Sequence, residues 1–325
     1  MSRLFRRSVA LVLAALVAAA TTASIALASA LTFGPWTTAV SVEAGGGAHP
    51  SFNGAALDGC PFISRDGKTF FMASRRLTGS ADANNDINIW VSSRQGDGEP
   101  WGAPQLVGAP VSIDTTAAGA PPVNDFCPSL ARDGHSFYFV SNRVGGCGGD
   151  DMYATRLRGS GGWDPVSNLG CDVNTIGNEA SPFPLPQNHS GPVLYFSSTL
   201  TGAGDIYLSK WHGGRFQGRE LVAGVNTTSV EGQPNVRRDG LEIFFFSNRA
   251  GAIGGSNDIY AAARASTADV WSAPENLGAS VNSAASETRP SLSWDGTTLY
   301  FGSTRTGGEG DSDIYVTTRA RTAGG

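Results

Sequence analysis

Charge is scarce in this chain, and so are the motifs that most often carry chemistry. Only 16% of the 325 residues are charged, well below the usual quarter, so long solvated helices are not expected. Basic runs are absent and the formal charge is −5. That excludes a nucleic-acid partner, because neutralising phosphates needs clustered Lys and Arg. The four histidines (His49, His135, His189 and His212) make no H-E-x-x-H, and there is no G-x-S-x-G elbow, which removes the simplest zinc- and serine-hydrolase readings. The four cysteines come no closer than 20 positions, so a C-x-x-C metal site is excluded too. Glycine is what abounds. Its 43 residues are about twice the usual share, and no Gly-X-Y period organises them. With 40% hydrophobic residues, the chain has too much apolar content to stay disordered. It is turn-rich and able to build a core.

Residues 1–30 read as a secretory signal: Arg3, Arg6 and Arg7, an apolar segment from Val9 to Ala20, then Ala28-Ser29-Ala30 as a small-x-small cleavage site. No later run is long and apolar enough to span a bilayer, so no membrane insertion is expected after cleavage. Without those three arginines the chain has 20 basic and 28 acidic residues, or −8. The expected location is secreted, extracellular or periplasmic. All four cysteines lie beyond the leader, and an even count in an exported protein favours disulfides.

Residues 31–325 contain one template five times. It runs acid-x-x-Pro, a turn, an aromatic strand ending near Ser, a Gly-rich loop, then Asp-Ile-Tyr or a close variant. Its prolines are Pro61, Pro128, Pro182, Pro234 and Pro290. Asp-Gly between apolar runs (Asp66-Gly67, Asp133-Gly134, Asp239-Gly240, Asp295-Gly296) marks a hairpin, because it supplies the positive φ of a tight turn. Each unit predicts a four-stranded antiparallel sheet whose fourth strand opens on an aromatic: Trp101, Trp163, Phe216 or Trp271. Such sheets bury their faces by radial stacking. The predicted blades span about residues 58–110, 125–172, 179–225, 231–281 and 287–319. The chain ends before a fourth strand in the last unit. The missing piece is at the other end, Trp36 to Val42, within a closing strand of about residues 34–43. The expectation is an all-β, five-bladed β-propeller of four-stranded antiparallel blades, its ring closed by the N-terminal strand completing the last blade.

The S-x-D-G turns, the Ser-Asn-Arg of residues 141–143 and 247–249, and the Asp-Ile-Tyr repeats resemble the TolB-like (WD-like) β-propeller repeat family over about residues 34–319. The resemblance implies the fold. It implies no single function, since such repeats are found in interaction proteins and in enzymes.

Strand order places the fourth-to-first and second-to-third connections on one face. Asp58, Asp125, Glu179, Glu231 and Glu287 are therefore expected to ring the channel there, with Asp151, Asp205, Asp258 and Asp313 nearby. Arg76, Arg143, Arg249 and Arg305 lie on the same side and would pair with the acids as a structural device in each blade. Blade three departs, since Leu200 takes the arginine position while Glu179 and Asp205 remain, and its loop from Ser198 to Asp205 is the shortest. An uncompensated carboxylate there needs a cation, solvent or substrate, so the mouth near Glu179, Asp205 and Glu231 is the expected ligand site. Cys60 and Cys127 each precede the strand-opening proline in adjacent blades, while Cys147 is in the second-to-third loop of blade two and Cys171 in the connection leaving that blade, predicting Cys60–Cys127 and Cys147–Cys171. A hard cation, calcium, suits the alternating oxygens of Asp82, Asn84 and Asp86, with loops 145–151 and 307–313 similar.

Two functions follow. The first is a monomeric binding or interaction module that uses this acidic, disulfide-stiffened face for a protein or glycan partner. The alternative is a glycoside hydrolase, a class in which five-bladed propellers occur, with Glu179 and Glu231 or Glu287 as acid and base at about 5–10 Å. No cofactor beyond calcium is implied.

Overall fold

The computed structural model describes residues 33–77, 85–113, 121–159, 161–186 and 191–322. The predicted leader, Asp82, Asn84 and His189 lie outside them. Strand β1 (Val40–Ser41) comes first. Blade one then has β2 (Asp58–Ile63), β3 (Thr69–Ser74), β4 (Asn88–Ser93) and β5 (Gln105–Leu106). Blade two has β6 (Asp125–Leu130), β7 (Ser136–Ser141), β8 (Asp151–Arg156) and β9 (Ser167–Asn168). Blade three has β10 (Glu179–Leu185), β11 (Val193–Ser198), β12 (Asp205–His212) and β13 (Arg215–Leu221). Blade four has β14 (Glu231–Val236), β15 (Glu242–Ser247), β16 (Asp258–Ala263) and β17 (Glu275–Asn276). Blade five supplies β18 (Glu287–Leu292), β19 (Thr298–Ser303) and β20 (Asp313–Thr318).

Every sheet is antiparallel, and the last is ordered β18-β19-β20-β1. Val40 pairs with Val316 and Ser41 with Tyr315, and the Thr37 and Val42 amides donate to Thr318 and Ile314 carbonyls at 2.8 and 3.1 Å. The N-terminal strand therefore completes blade five, as the repeat count requires. The inner strands β2, β6, β10, β14 and β18 touch in cyclic order, so no edge is left open along the ring. The core is a set of apolar layers between blades. One holds Phe70, Trp101 and Tyr300 between blades one and five, with Phe70 centroids 5.1 Å from both rings.

Two local features differ from the expected template. The fourth strand forms in full only in blade three. In the other four it shrinks to two residues beyond the aromatic; Pro104, Pro165 and Pro274 interrupt the ladder in blades one, two and four, since proline has no N–H to donate, while β1 of blade five is as short with no proline between Trp36 and Val42. Blade three has no proline between Phe216 and Leu221. The acid-x-x-Pro motif, in turn, is a β-bulge. In every inner strand the register shifts at this point, as between Gly59 and Phe62 or Thr288 and Ser291. The residue before the proline has positive φ: Cys60 45°, Cys127 46°, Ser181 52°, Gln233 56° and Arg289 58°. An α-helical setting is closed to a residue preceding proline, and the bulge turns these five side chains towards the axis.

Candidate functional site

The five inner-strand acids lie at the expected end of the blades, each with 0% exposure. Four are held by an arginine: Asp58 by Arg76 at 2.6 Å, Asp125 by Arg143 at 2.7 Å, Glu231 by Arg249 at 3.1 Å and Glu287 by Arg305 at 3.1 Å. The same arginines donate to the carbonyls of Phe52, Val111, Val225 and Val281, 2.6–2.7 Å away. Each ion pair thus locks a fourth-to-first connection onto its blade. Where the acid is a glutamate, a hydroxyl residue four positions earlier caps it. Thr227 and Ser283 each donate both N–H and O–H to Glu231 and Glu287. Ser247 and Ser303, at the ends of β15 and β19, add a third bond.

Blade three has no arginine at this position. Among the described residues Glu179 accepts only from the Thr175 N–H and O–H, both 2.7 Å, and the Ser198 hydroxyl at 2.6 Å. The connection that an arginine would clamp is held instead by Arg219 of β13, which donates to the Cys171 and Asp172 carbonyls at 3.1 and 2.9 Å. Structural support has been replaced, while the charge beside Glu179 has not.

The third-strand acids cap their loops. Asp258 accepts from the Ile253 N–H and Asn276, both 2.6 Å, and Asp313 from the Glu309 N–H at 2.9 Å. Asp151 accepts from the Cys147 N–H and Asn168, and Asp205 from Thr201. These bonds all fall on one oxygen of each carboxylate, and the Oδ1 atoms of Asp151, Asp258 and Asp313 are buried without a hydrogen-bond partner. Among the described residues no cluster of three His, Cys, Asp or Glu could hold a metal. Of the proposed calcium ligands only Asp86 is described; it is buried and accepts from Asn88 at 3.1 Å.

The channel itself is lined by the residues of the bulges, not by the acids two positions earlier. Cys60 and Cys127 close one side as a disulfide, and Cys147 bonds Cys171. Ser181, Gln233 and Arg289 face the axis from the other three blades. Burial and the neighbouring Arg75 cation push the Arg289 guanidinium down to about 10, and the Nε atoms of both arginines are buried without a hydrogen-bond partner. With four of the five acids paired to arginines and all five buried, the channel lining at Arg289 presents a cation and none of these carboxylates.

A recess of about 150 Å³ opens beside the channel between blades three and four, where the short Ser198–Asp205 loop lowers the surface. Asp150, Glu179, Glu231 and Gln233 line it, with Phe126 and Phe246. Asp205 does not. Sequence reasoning missed Asp150: it is half-buried, no arginine or lysine pairs with it among the described residues, and its carboxyl is pushed up by burial and then by Asp151 and Glu179. The doubled Asp150-Asp151 was visible, but nothing in the repeat distinguished the loop aspartate from the one that starts β8.

The chain is a five-bladed β-propeller with a recessed carboxylate site beside its channel. No family model and no curated protein matches it. Solved structures do. An α-L-arabinofuranosidase from Podospora anserina superposes with a TM-score of 0.54 at 10% identity, covering 90% of this chain and 99% of the other. A thermostable family-43 glycoside hydrolase gives 0.53 at 12%, covering 84% and 92%. An endo-arabinase from Bacteroides thetaiotaomicron gives 0.53 at 15%, covering 80% and 93%. At such identities the likeness establishes the fold. It also corrects the TolB-like resemblance: no family model matches, and the solved structures just named are a family-43 glycoside hydrolase, an arabinofuranosidase and an endo-arabinase. The repeat signature reflects blade construction, which unrelated propellers share.

Proposed function

We propose that the protein is a secreted carbohydrate-active enzyme that cleaves a glycosidic bond at the recess between blades three and four. One observation carries the reading: Asp150, a carboxyl with raised proton affinity, lines a recess together with Glu179, the inner-strand acid that has no arginine. A glycosidase needs a carboxylic acid that stays protonated to donate to the leaving oxygen, and a second carboxylate to offset the positive charge of the transition state. Asp150 fills the first role and Glu179 the second. Gln233 lines both the recess and the channel. Glu231 and Glu287 are tied to Arg249 and Arg305, which argues against them as acid or base. The glycoside-hydrolase likenesses support the same substrate class, and the two disulfides fit an oxidising, extracytoplasmic location.

A binding module is the second reading, favoured by the burial and saturation of all five inner-strand acids. Incubating the protein with arabinan, arabinoxylan and xylan separates the two. Release of reducing sugar, lost in Asp150→Asn, supports the enzyme. Glycan binding without release supports the module.

A further inference from the structure

Arginines that no carboxylate claims converge on the opposite mouth of the channel. In four blades the residue before the turn aspartate points there: Arg65, Arg132, Arg238 and Trp294 all line one cavity at the end of the axis. The guanidinium carbons of Arg65 and Arg132 lie 5.3 and 5.8 Å from the Trp294 ring centroid, so two cations from adjacent blades share one indole. None of these three arginines forms an ion pair among the described residues.

The adjacent aspartates are engaged elsewhere. Asp66 accepts from Ser64 and the Lys68 N–H, and Asp133 from Ser136, the His135 N–H and, at 3.6 Å, Arg156. Asp239 binds Arg237, while Asp295 accepts from Ser293 and Thr297 and lies 3.7 Å from Arg321. These carboxylates keep their charge but do not line the axial cavity, whose charged lining is Arg65, Arg132, Arg237 and Arg238, so the mouth presents cations to a ligand. It continues sideways into a cleft of about 600 Å³ walled by Tyr138, Trp211, Pro186 and Arg156.

We infer that this face holds a second site, which binds a carboxylate-bearing oligosaccharide independently of the recess on the other face. A guanidinium takes a carboxylate through two parallel N–H bonds, and an indole or phenol ring offers a flat apolar surface to the hydrogens of a sugar ring. Repeating uronates would bring a carboxylate to the arginine cluster and a sugar face to the aromatic wall. A polynucleotide fits less well, because the arginines form a point at the axis and no basic stripe leads away from it.

Calorimetric titration of the full chain with trigalacturonate tests this, with neutral galactotriose and inorganic sulfate as separate arms. Trigalacturonate binds, more weakly as salt rises. Arg65→Gln combined with Arg132→Gln weakens binding at least about tenfold per lost contact, and Asp150→Asn leaves it unchanged. Arg238→Gln, on a separate blade, gives the same direction should the double variant lose its fold. No binding, unchanged affinity in the arginine variants, or galactotriose bound as tightly would overturn the site. Sulfate bound as tightly as trigalacturonate would overturn its assignment to a sugar.

Discussion

Arg319 lies over Trp36, its guanidinium carbon 4.5 Å from the ring centroid, in the relationship Arg264 has to Trp271 at 4.1 Å and Arg94 to Trp101 at 4.3 Å. In all three blades the arginine Nε also donates to the turn glycine carbonyl: Gly296, Gly240 or Gly67, 2.6–2.8 Å away. Trp36 therefore occupies the fourth-strand aromatic position of blade five, although it lies near the start of the described residues and Arg319 near their end. Replacing Trp36 with alanine removes this stack and its contact with Phe244. A loss of about 2 kcal/mol, read by denaturant unfolding, is expected. Resistance equal to wild type would mean that the closing strand does not hold the ring.

The same arginine carries a second load. Arg319 meets Glu242 of blade four through two bonds of 2.7 and 2.6 Å, and Arg237 adds a third at 3.0 Å, with all three side chains buried. Glu242→Ala leaves two buried cations with no carboxylate between them. The expected cost is about 3–5 kcal/mol, visible as a large fall in unfolding midpoint.

The disulfides span 67 and 24 residues. Constraint of the unfolded chain alone assigns each on the order of 3–4 kcal/mol. The Cys60→Ala/Cys127→Ala and Cys147→Ala/Cys171→Ala variants should each have a lower midpoint than the oxidised parent, and reduction under mild denaturant should lower each once more as its remaining bridge is cut. A variant as stable as the oxidised parent would contradict this.

Among the described residues no arginine pairs with Asp258 or Asp313, and burial raises both carboxyl pKa values. A carboxyl with a raised folded-state value adds stability that is present at acidic pH and lost as pH rises through that value. Between pH 4 and 7, Asp258→Asn and Asp313→Asn should therefore flatten the fall of Tm with rising pH that these two groups impose. Asp66, Asp133 and Asp295, whose values are lowered, act in the opposite sense at lower pH, so the contrast must be read against wild type. An unchanged slope in both variants would sink the assignment.

Much of this architecture was legible because a repeat states its rule several times. The Asp-Gly turns, the missing fourth strand after Tyr315, Trp36 and the cysteine pairs all follow from counting, and the arginine partners of four acids follow from their common offset. What counting could not supply was direction. The bulge before each proline turns Cys60, Ser181, Gln233 and Arg289 towards the axis and leaves Asp58 and Glu231 buried beside it, an outcome set by backbone dihedrals with no signature of their own. Arg219 replaces the arginine missing from blade three from a different strand, so no offset reveals it. Asp150 and the cluster at Arg65, Arg132 and Arg238 depend on neighbouring blades meeting at the channel, which a single repeat does not encode. The hydroxyl four residues before each glutamate could have been found, since Thr175, Thr227 and Ser283 share one spacing.

The proton-donor role of Asp150 admits a direct measurement. Rates for wild type and Asp150→Asn are compared on an arabinan or xylan chain and on a 4-nitrophenyl glycoside of the same sugar, whose leaving group needs no proton. Loss of about 10²–10⁴ on the polysaccharide with a much smaller loss on the nitrophenyl substrate is the predicted result. Equal rates for variant and wild type on both substrates would contradict catalysis at this recess.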